Sequence, residues 1–424
     1  MNLLDQIIQN HKQGQPVGIP SICSAHPEVL RTAINESAKS GSPLLIEATC
    51  NQVNQDGGYT GMQPVDFLRT VRGLAAEGHL PPERLILGGD HLGPSPWQHL
   101  PAEQAMQKAE RLIGDFVRAG YEKIHLDASM KLGGDDPNRP LEAEISAQRA
   151  ARLARVAETA CTPENQPRYV IGTEVPIPGG AKEHEEGVAV TRPEDVEQTI
   201  ELTRRAFRAE GLESAWERVI AVVVQPGVEF GDDFVLDYRP EKAITLSGFI
   251  EGLPHLVYEA HSTDYQTEKS LTGLVRGHFA ILKVGPALTF AYREALFSLA
   301  RAEAEYIPEA MQSHLVETMD AVLLKNPVYW QKYYHGSEKE QEFARRYSLS
   351  DRMRYYWPER QAQDAVIRLM DNLKRNPIPL SLLSQYAPVQ YRKIRAGELK
   401  NDPVEIARDA VARVIGDYRS ACGG

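Results

Sequence analysis

Between about residue 16 and about residue 302 the chain alternates short apolar runs with longer helical patterns, eight times over. This alternation limits the fold more than any other feature. Runs of four to eight apolar residues read as buried strands, and the stretches between them as helices that cover a parallel sheet. The strand-like runs are 17–23, 43–47, 85–89, 123–127, 169–174, 219–224, 256–260 and 279–284. The first helix is entered near Ser24 and Pro27 and stopped by Gly41. Later helices begin near Pro64 and after Pro101, span 141–160, and close the series at 288–303. Thr191-Arg192-Pro193-Glu194 has the form of a capping box with proline in the first turn. Eight strand–helix units predict an α/β fold of the (β/α)₈ barrel type over residues 1–302. A doubly wound open sheet shares the local pattern. The barrel is favoured because nearly every run ends in polar or ionisable residues, namely Glu47, Asp90-His91, Asp127, Glu174, Gln225 and His261, and a closed ring would aim these at one mouth.

After about residue 303 the strand pattern stops. Residues 303–424 read as a helical C-terminal extension, rich in aromatics such as Tyr329-Trp330 and Tyr355-Tyr356-Trp357, with no low-complexity linker, and so are expected to pack on the barrel. The arginines interleaved there, Arg352 and Arg354 among them, could clamp a phosphate if the segment folded back over the mouth. The preferred expectation is a solvated helix face with its aromatic side docked, and a partner contact surface is a third reading.

The formal net charge of −11 argues against a general nucleic-acid binder. No apolar run approaches the ~20 residues that span a bilayer. The N-terminal residues do not read as a signal peptide, and the four scattered cysteines form no CxxC pair. A cytoplasmic protein with free thiols is the expectation.

Leu85-Ile86-Leu87-Gly88-Gly89-Asp90-His91 is the most chemically suggestive stretch: a strand, two glycines, then an acid and a histidine at the end where barrels place chemistry. Asp90 could move a proton and His91 could bind a metal. Helix capping and ordinary packing explain the pair equally well at this point. His91, Glu174 and His261 come from alternate strands, and two imidazoles with one carboxylate suit Zn²⁺ with an open position. Asp127 is placed to orient a ligand or a histidine, or else to cap a helix. Glu47 could meet a sugar hydroxyl or pair with a basic neighbour. Ser262, Thr263 and the turn at Gly285 lie where barrels hold phosphate, and Lys283 sits within the eighth strand, where a structural role outweighs a Schiff-base one. No P-loop and no GxSxG elbow is present.

Taken together, Cys23-Ser24-Ala25-His26-Pro27, Gly58-Tyr59-Thr60-Gly61-Met62, Gly88-Gly89-Asp90-His91-Leu92-Gly93-Pro94, Ile171-Gly172-Thr173-Glu174-Val175-Pro176, Val224-Gln225-Pro226-Gly227-Val228-Glu229-Phe230, Glu259-Ala260-His261-Ser262-Thr263-Asp264 and Leu282-Lys283-Val284-Gly285-Pro286 resemble the GatZ/KbaZ (AgaZ) family. The resemblance runs nearly end to end. It implies the larger subunit of bacterial D-tagatose-1,6-bisphosphate aldolase, similar to the zinc-dependent class II aldolases. The catalytic machinery would sit in a small GatY/KbaY-type partner that this subunit stabilises, in galactitol or N-acetylgalactosamine and galactosamine catabolism. Older descriptions name such proteins tagatose-6-phosphate kinases. By the same resemblance Asp90 matches a proton donor, His91 and His261 match zinc ligands, and Glu174 stands where a third histidine is usual. The backbone phosphate loop after the seventh strand is replaced here by Ser262-Thr263-Asp264-Tyr265. This implies a sugar-phosphate pocket with little bisphosphate cleavage of its own. A metal-dependent aldolase or epimerase acting alone, or a kinase, are the alternatives.

Overall fold

The computed structural model describes residues 2–172 and 188–424. Its centre is a closed, all-parallel barrel of eight strands. They are β1 (Ile19–Ile22), β2 (Leu44–Thr49), β3 (Leu85–Leu92), β4 (Lys123–Leu126), β5 (Arg168–Ile171), β6 (Val219–Val224), β7 (Val257–Ala260) and β8 (Phe279–Val284). Each pairs with its neighbours in sequence, and β8 closes the ring on β1 with Ile19 opposite Ile281 and Ser21 opposite Lys283. The expected (β/α)₈ barrel is therefore the fold. Helices cross over between strands, including Pro27–Ser40, Pro64–Glu77, Ala102–Ala119, Ala143–Ala160 and Pro193–Ala209. Gly41 ends the first of these in the left-handed conformation, where a missing Cβ is an advantage.

The capping box at Thr191 does not form. Arg192 is the last extended residue before the Pro193–Ala209 helix. The Thr191 hydroxyl instead accepts the Gln225 amide at 2.9 Å, joining the helix entry to the end of β6. Proline at the first helical position moves the cap one residue beyond the threonine.

The barrel interior is layered. Ile19, Leu45, Ile86, Val170, Ile220 and Ile281 make an apolar floor, which Leu4 and Ile8 of an N-terminal helix, Leu3–Lys12, close from below. Sequence reading passed over this helix. Above the floor come charged side chains, and above those the mouth.

The extension returns to the barrel rather than standing apart. Its last helix, Pro403–Ala421, packs on Pro27–Ser40, Glu268–Arg276 and Pro286–Tyr306. The carbonyl of Cys422 accepts the Gly18 amide at 3.1 Å, at the entry to β1. Trp330, Tyr334, Tyr356 and Trp357 are buried in the apolar core that the barrel helices share. The expected solvated arginine face is overturned. Arg345 is buried and bonds Asp320 at 2.7 Å, and Arg352 is buried over the Tyr333 ring. All four cysteines are free thiols. Among the described residues no helix is long and apolar enough to cross a membrane.

Candidate metal and ligand site at the barrel mouth

The site is built from side chains that share the inward face of neighbouring strands. Glu47 on β2 lies opposite Gly88 on β3. A Cβ at Gly88 would come within 2.9 Å of the Glu47 side chain and 3.3 Å of Lys123. The missing side chain thus makes room for a buried ion lattice. Lys123 Nζ lies 2.8 Å from Glu47 Oε1 and 2.7 Å from Glu259 Oε2. Lys283 Nζ lies 2.8 Å from Glu47, 2.7 Å from Asp90 and 3.3 Å from Glu259. Ser21 donates a further bond to Glu47 at 2.8 Å. Buried charges persist only when paired in this way.

Above this lattice β3 is bulged. Its register with β4 slips between Gly89 and Leu92, and His91 takes a left-handed backbone with φ 47°. Bulges re-aim side chains beside functional sites. Here the bulge brings His91 beside two other histidines: its ring centre is 4.8 Å from that of His261 and 5.1 Å from that of His125. His91 Nδ1 is 2.8 Å from Asp127 Oδ2. Asp127 in turn accepts the Ser129 amide and hydroxyl at 3.1 and 2.7 Å. Burial alone would raise the Asp127 pKa, but the bonds from His91 and Ser129 hold it well below the usual range. Burial likewise opposes charge on Asp90, yet His91 and Lys283 keep it ionised. His261 Nε2 lies 3.0 Å from Glu259 Oε1, and burial lowers its pKa to about 3, so the ring stays neutral.

Asp90, His125, Glu259 and His261 form a buried group whose ligand atoms all lie within 4.8 Å of one another, able to hold a metal ion. This revises the expected set. His261 is in it. His91 stands at its edge, with Nε2 3.9 Å from Asp90. Glu174 lies outside the described residues. Two observations fit a cation here. His125 Nε2 is buried without a hydrogen-bond partner. The three carboxylates of Glu47, Asp90 and Glu259 also share only the two ammonium groups of Lys123 and Lys283 among the described residues, while Asp127 pairs with His91. A divalent ion would balance that excess, and neutral imidazole with carboxylate is a donor set that zinc accepts.

The other expected residues divide. Ser262 lines the mouth, with a left-handed backbone and no protein partner for its hydroxyl among the described residues. Thr263 does not serve the mouth: its hydroxyl donates to the Lys283 carbonyl at 2.5 Å and meets Tyr418 at 3.1 Å. Gly285 reaches the wall, but its amide is committed. Asp264 accepts the amides of Gly285 and Ala287 at 3.0 and 2.8 Å, at the N-terminus of the helix Pro286–Tyr306. An internal carboxylate therefore occupies the anion position expected of that turn. Burial pushes the Asp264 pKa up to about 6, against those two amides. Lys283 is an ion-pair partner on the cavity floor. Its carboxylates outweigh burial and keep it an ammonium, which removes the nucleophilic reading.

Sequence reading gave no role to Lys123, His125 or Glu259. Strand period was the available signal, since Lys123, His125 and Asp127 share one face of β4 and its extension, as do Glu259 and His261 on β7 and its extension. Of the two arginines named as a clamp should the segment fold back over the mouth, Arg354 does reach it. The short turn Arg352–Tyr356 folds over the mouth, and Arg354 and Tyr355 line the same cavity as Asp90, His91, His261 and Ser262.

A family described as D-tagatose-1,6-bisphosphate aldolase subunit GatZ/KbaZ-like matches residues 4–423. A Sinorhizobium meliloti protein described as a probable tagatose 6-phosphate kinase is 48% identical, with 96% of this chain and 100% of that chain covered and a TM-score of 0.88. A fructose-bisphosphate aldolase from Campylobacter jejuni is 13% identical over 88% of this chain and 92% of that one, with a TM-score of 0.44. The YdjI aldolase from Escherichia coli K12 is 12% identical over 85% and 94%, with a TM-score of 0.41. The chain belongs to the GatZ/KbaZ-like family of D-tagatose-1,6-bisphosphate aldolase subunits.

Proposed function

We propose that this chain is the supporting subunit of a two-subunit aldolase. It raises the activity and lifetime of a small GatY/KbaY-type catalytic subunit in tagatose 6-phosphate breakdown in the cytoplasm, and cleaves little bisphosphate itself. The observation that carries this reading is the Asp264 carboxylate on the Gly285 and Ala287 amides. Those amides are the donors a barrel offers to a substrate phosphate. With them taken by a carboxylate, a bisphosphate loses one of its two anchors, and a half-anchored substrate is poorly aligned for bond cleavage.

The mouth is assigned a Zn²⁺ ion held by Asp90, His125, Glu259 and His261. Such an ion supplies Lewis-acid polarisation of a carbonyl oxygen. The chain's own groups have separate tasks. Lys123 and Lys283 fix Glu47, Asp90 and Glu259 in place. Asp127 orients His91 through Nδ1. The kinase reading has no nucleotide motif to support it.

The test is heat inactivation of the purified small subunit with and without this chain. A partner that binds only the folded form lengthens its survival by mass action. Co-elution and a longer half-life are expected. No effect on the partner would overturn the reading, leaving an independent ketose-phosphate enzyme, aldolase or epimerase, built on the same histidines.

A further inference from the structure

The end of the barrel opposite the mouth holds a pair of histidines. His11 lies in the last turn of the N-terminal helix and His278 just before β8, and their rings meet edge to face with centres 5.1 Å apart. Their nitrogens form one chain. His11 Nδ1 lies 2.6 Å from the Val17 carbonyl oxygen, His11 Nε2 lies 2.9 Å from His278 Nδ1, and His278 Nε2 lies 3.2 Å from Glu251 Oε1. A carbonyl and a carboxylate only accept, so both outer nitrogens carry hydrogen, and the bond between the rings needs one hydrogen more. The unbroken chain therefore holds three hydrogens on two rings, one more than two neutral imidazoles carry. His11 is 3% exposed, whereas the His278 side chain is 20% exposed and stands beside the Glu251 carboxylate. The extra charge is best held on His278, which donates to a neutral His11.

A further proton on His11 would set two hydrogens and two like charges between nitrogens 2.9 Å apart. Burial already opposes charge on His11, against the pull of the Val17 carbonyl. The other groups packed here do not relieve this. Lys12 donates to the Ile250 carbonyl at 2.7 Å and adds a second positive charge, with Glu251 as its nearby acid. The Tyr238 hydroxyl faces Gly277, where a Cβ would come within 2.6 Å of it, and burial keeps that phenol neutral. At the other end of the helix Asp5 bonds Arg168 at 2.9 Å.

We propose that His11 and His278 share a single positive charge and form an acid-sensitive latch, which holds the Leu3–Lys12 helix, with its Leu4 and Ile8, over the barrel floor. The docked helix keeps off His11 a proton that a free imidazole accepts below about 6.5. The released helix therefore binds more protons as pH falls. The latch is fully fastened above that value and weakens below it, by up to about tenfold per pH unit for one proton.

The experiment uses the full chain with isotope-labelled histidine, assigned through His11→Asn and His278→Asn. Asparagine keeps a donor for Val17 at the first position and tolerates the left-handed backbone of the second, φ 71°. At about pH 7 the ring resonances should show His11 neutral with its hydrogen on Nδ1 and His278 doubly protonated. Hydrogen exchange, corrected for its intrinsic pH dependence, should then show Leu3–Lys12 losing roughly tenfold of its protection between about pH 6.5 and about pH 5.5 while Pro64–Glu77 keeps its own. Both variants lack a second ring, so in them this acid step should disappear. The proposal is overturned if His278 is neutral or both rings are charged at about pH 7, if the wild-type helix shows no acid step, or if a folded variant retains it. Should either variant fail to fold, the wild-type ring states and exchange profile still decide.

Discussion

Lys123→Met is the sharpest test of the buried ion lattice. Lys123 is fully buried and sits 2.8 Å from Glu47 and 2.7 Å from Glu259. At an effective dielectric constant of about 20, each contact is worth about 6 kcal/mol of Coulomb energy before desolvation is counted. Methionine fills a similar volume but leaves two carboxylates with only Lys283 between them. Removing one partner of a buried pair costs about 3–5 kcal/mol. Unfolding entropy of about 2.1 cal/mol/K per residue amounts to roughly 0.9 kcal/mol/K for a chain of 424 residues. The melting temperature should therefore fall by about 3–6 °C, read by differential scanning calorimetry. Adding Glu47→Gln removes one of the stranded charges, so the double variant should melt above Lys123→Met alone. A single variant within about 1 °C of wild type, or a double variant that falls by the sum of the two single losses, would refute the reasoning.

Three further outcomes follow from the same geometry. A Cβ at Gly93 would lie 1.7 Å from the Asp127 carbonyl oxygen, so Gly93→Ala should cost at least about 1–3 kcal/mol in thermal unfolding, and an unchanged melting temperature would count against the tight β3–β4 crossing. Burial pushes the Asp351 carboxyl up to about 6. The folded state thus binds this proton before the unfolded chain does, so its stabilising contribution is complete below about pH 4, fades as pH rises to about 6 and is flat above, by at most about 3 kcal/mol. Asp351→Asn, at a left-handed position with φ 44° that asparagine tolerates, should flatten that part of the stability–pH curve, and an unchanged slope would contradict the assignment. After zinc loading and dialysis, the wild-type chain should retain metal by elemental analysis while His125→Ala and His261→Ala lose it. A metal-free wild type, or full retention in both variants, would remove the metal assignment.

The barrel was legible in the sequence because strand and helix periods alternate, and because Glu47 and Asp90 fall in the C-terminal halves of β2 and β3 while Asp127 and His261 directly follow β4 and β7. Asp90-His91 could be located but not aimed, since the bulge that turns them depends on register against β4. Lys123, His125 and Glu259 were hidden for a different reason. A charged residue inside an apolar run reads as exposed until the closed ring shows its partners, Glu47 on β2 for Lys123 and Lys283 on β8 for Glu259. Local signals misled at Gly285 and Thr191, where a neighbour distant in sequence takes the expected hydrogen bond. Arg354 reaches the mouth only through the folding-back of a segment more than 90 residues after His261, which no local pattern encodes.

The most direct measurement is turnover of tagatose 1,6-bisphosphate by this chain alone, by the small subunit alone, and by the two together, each supplied with zinc. The account predicts cleavage near background for this chain, measurable cleavage for the small subunit, and a clear rise for the pair. Full cleavage by this chain in isolation would contradict it, because a barrel whose phosphate seat is closed by Asp264 would then be anchoring a bisphosphate after all.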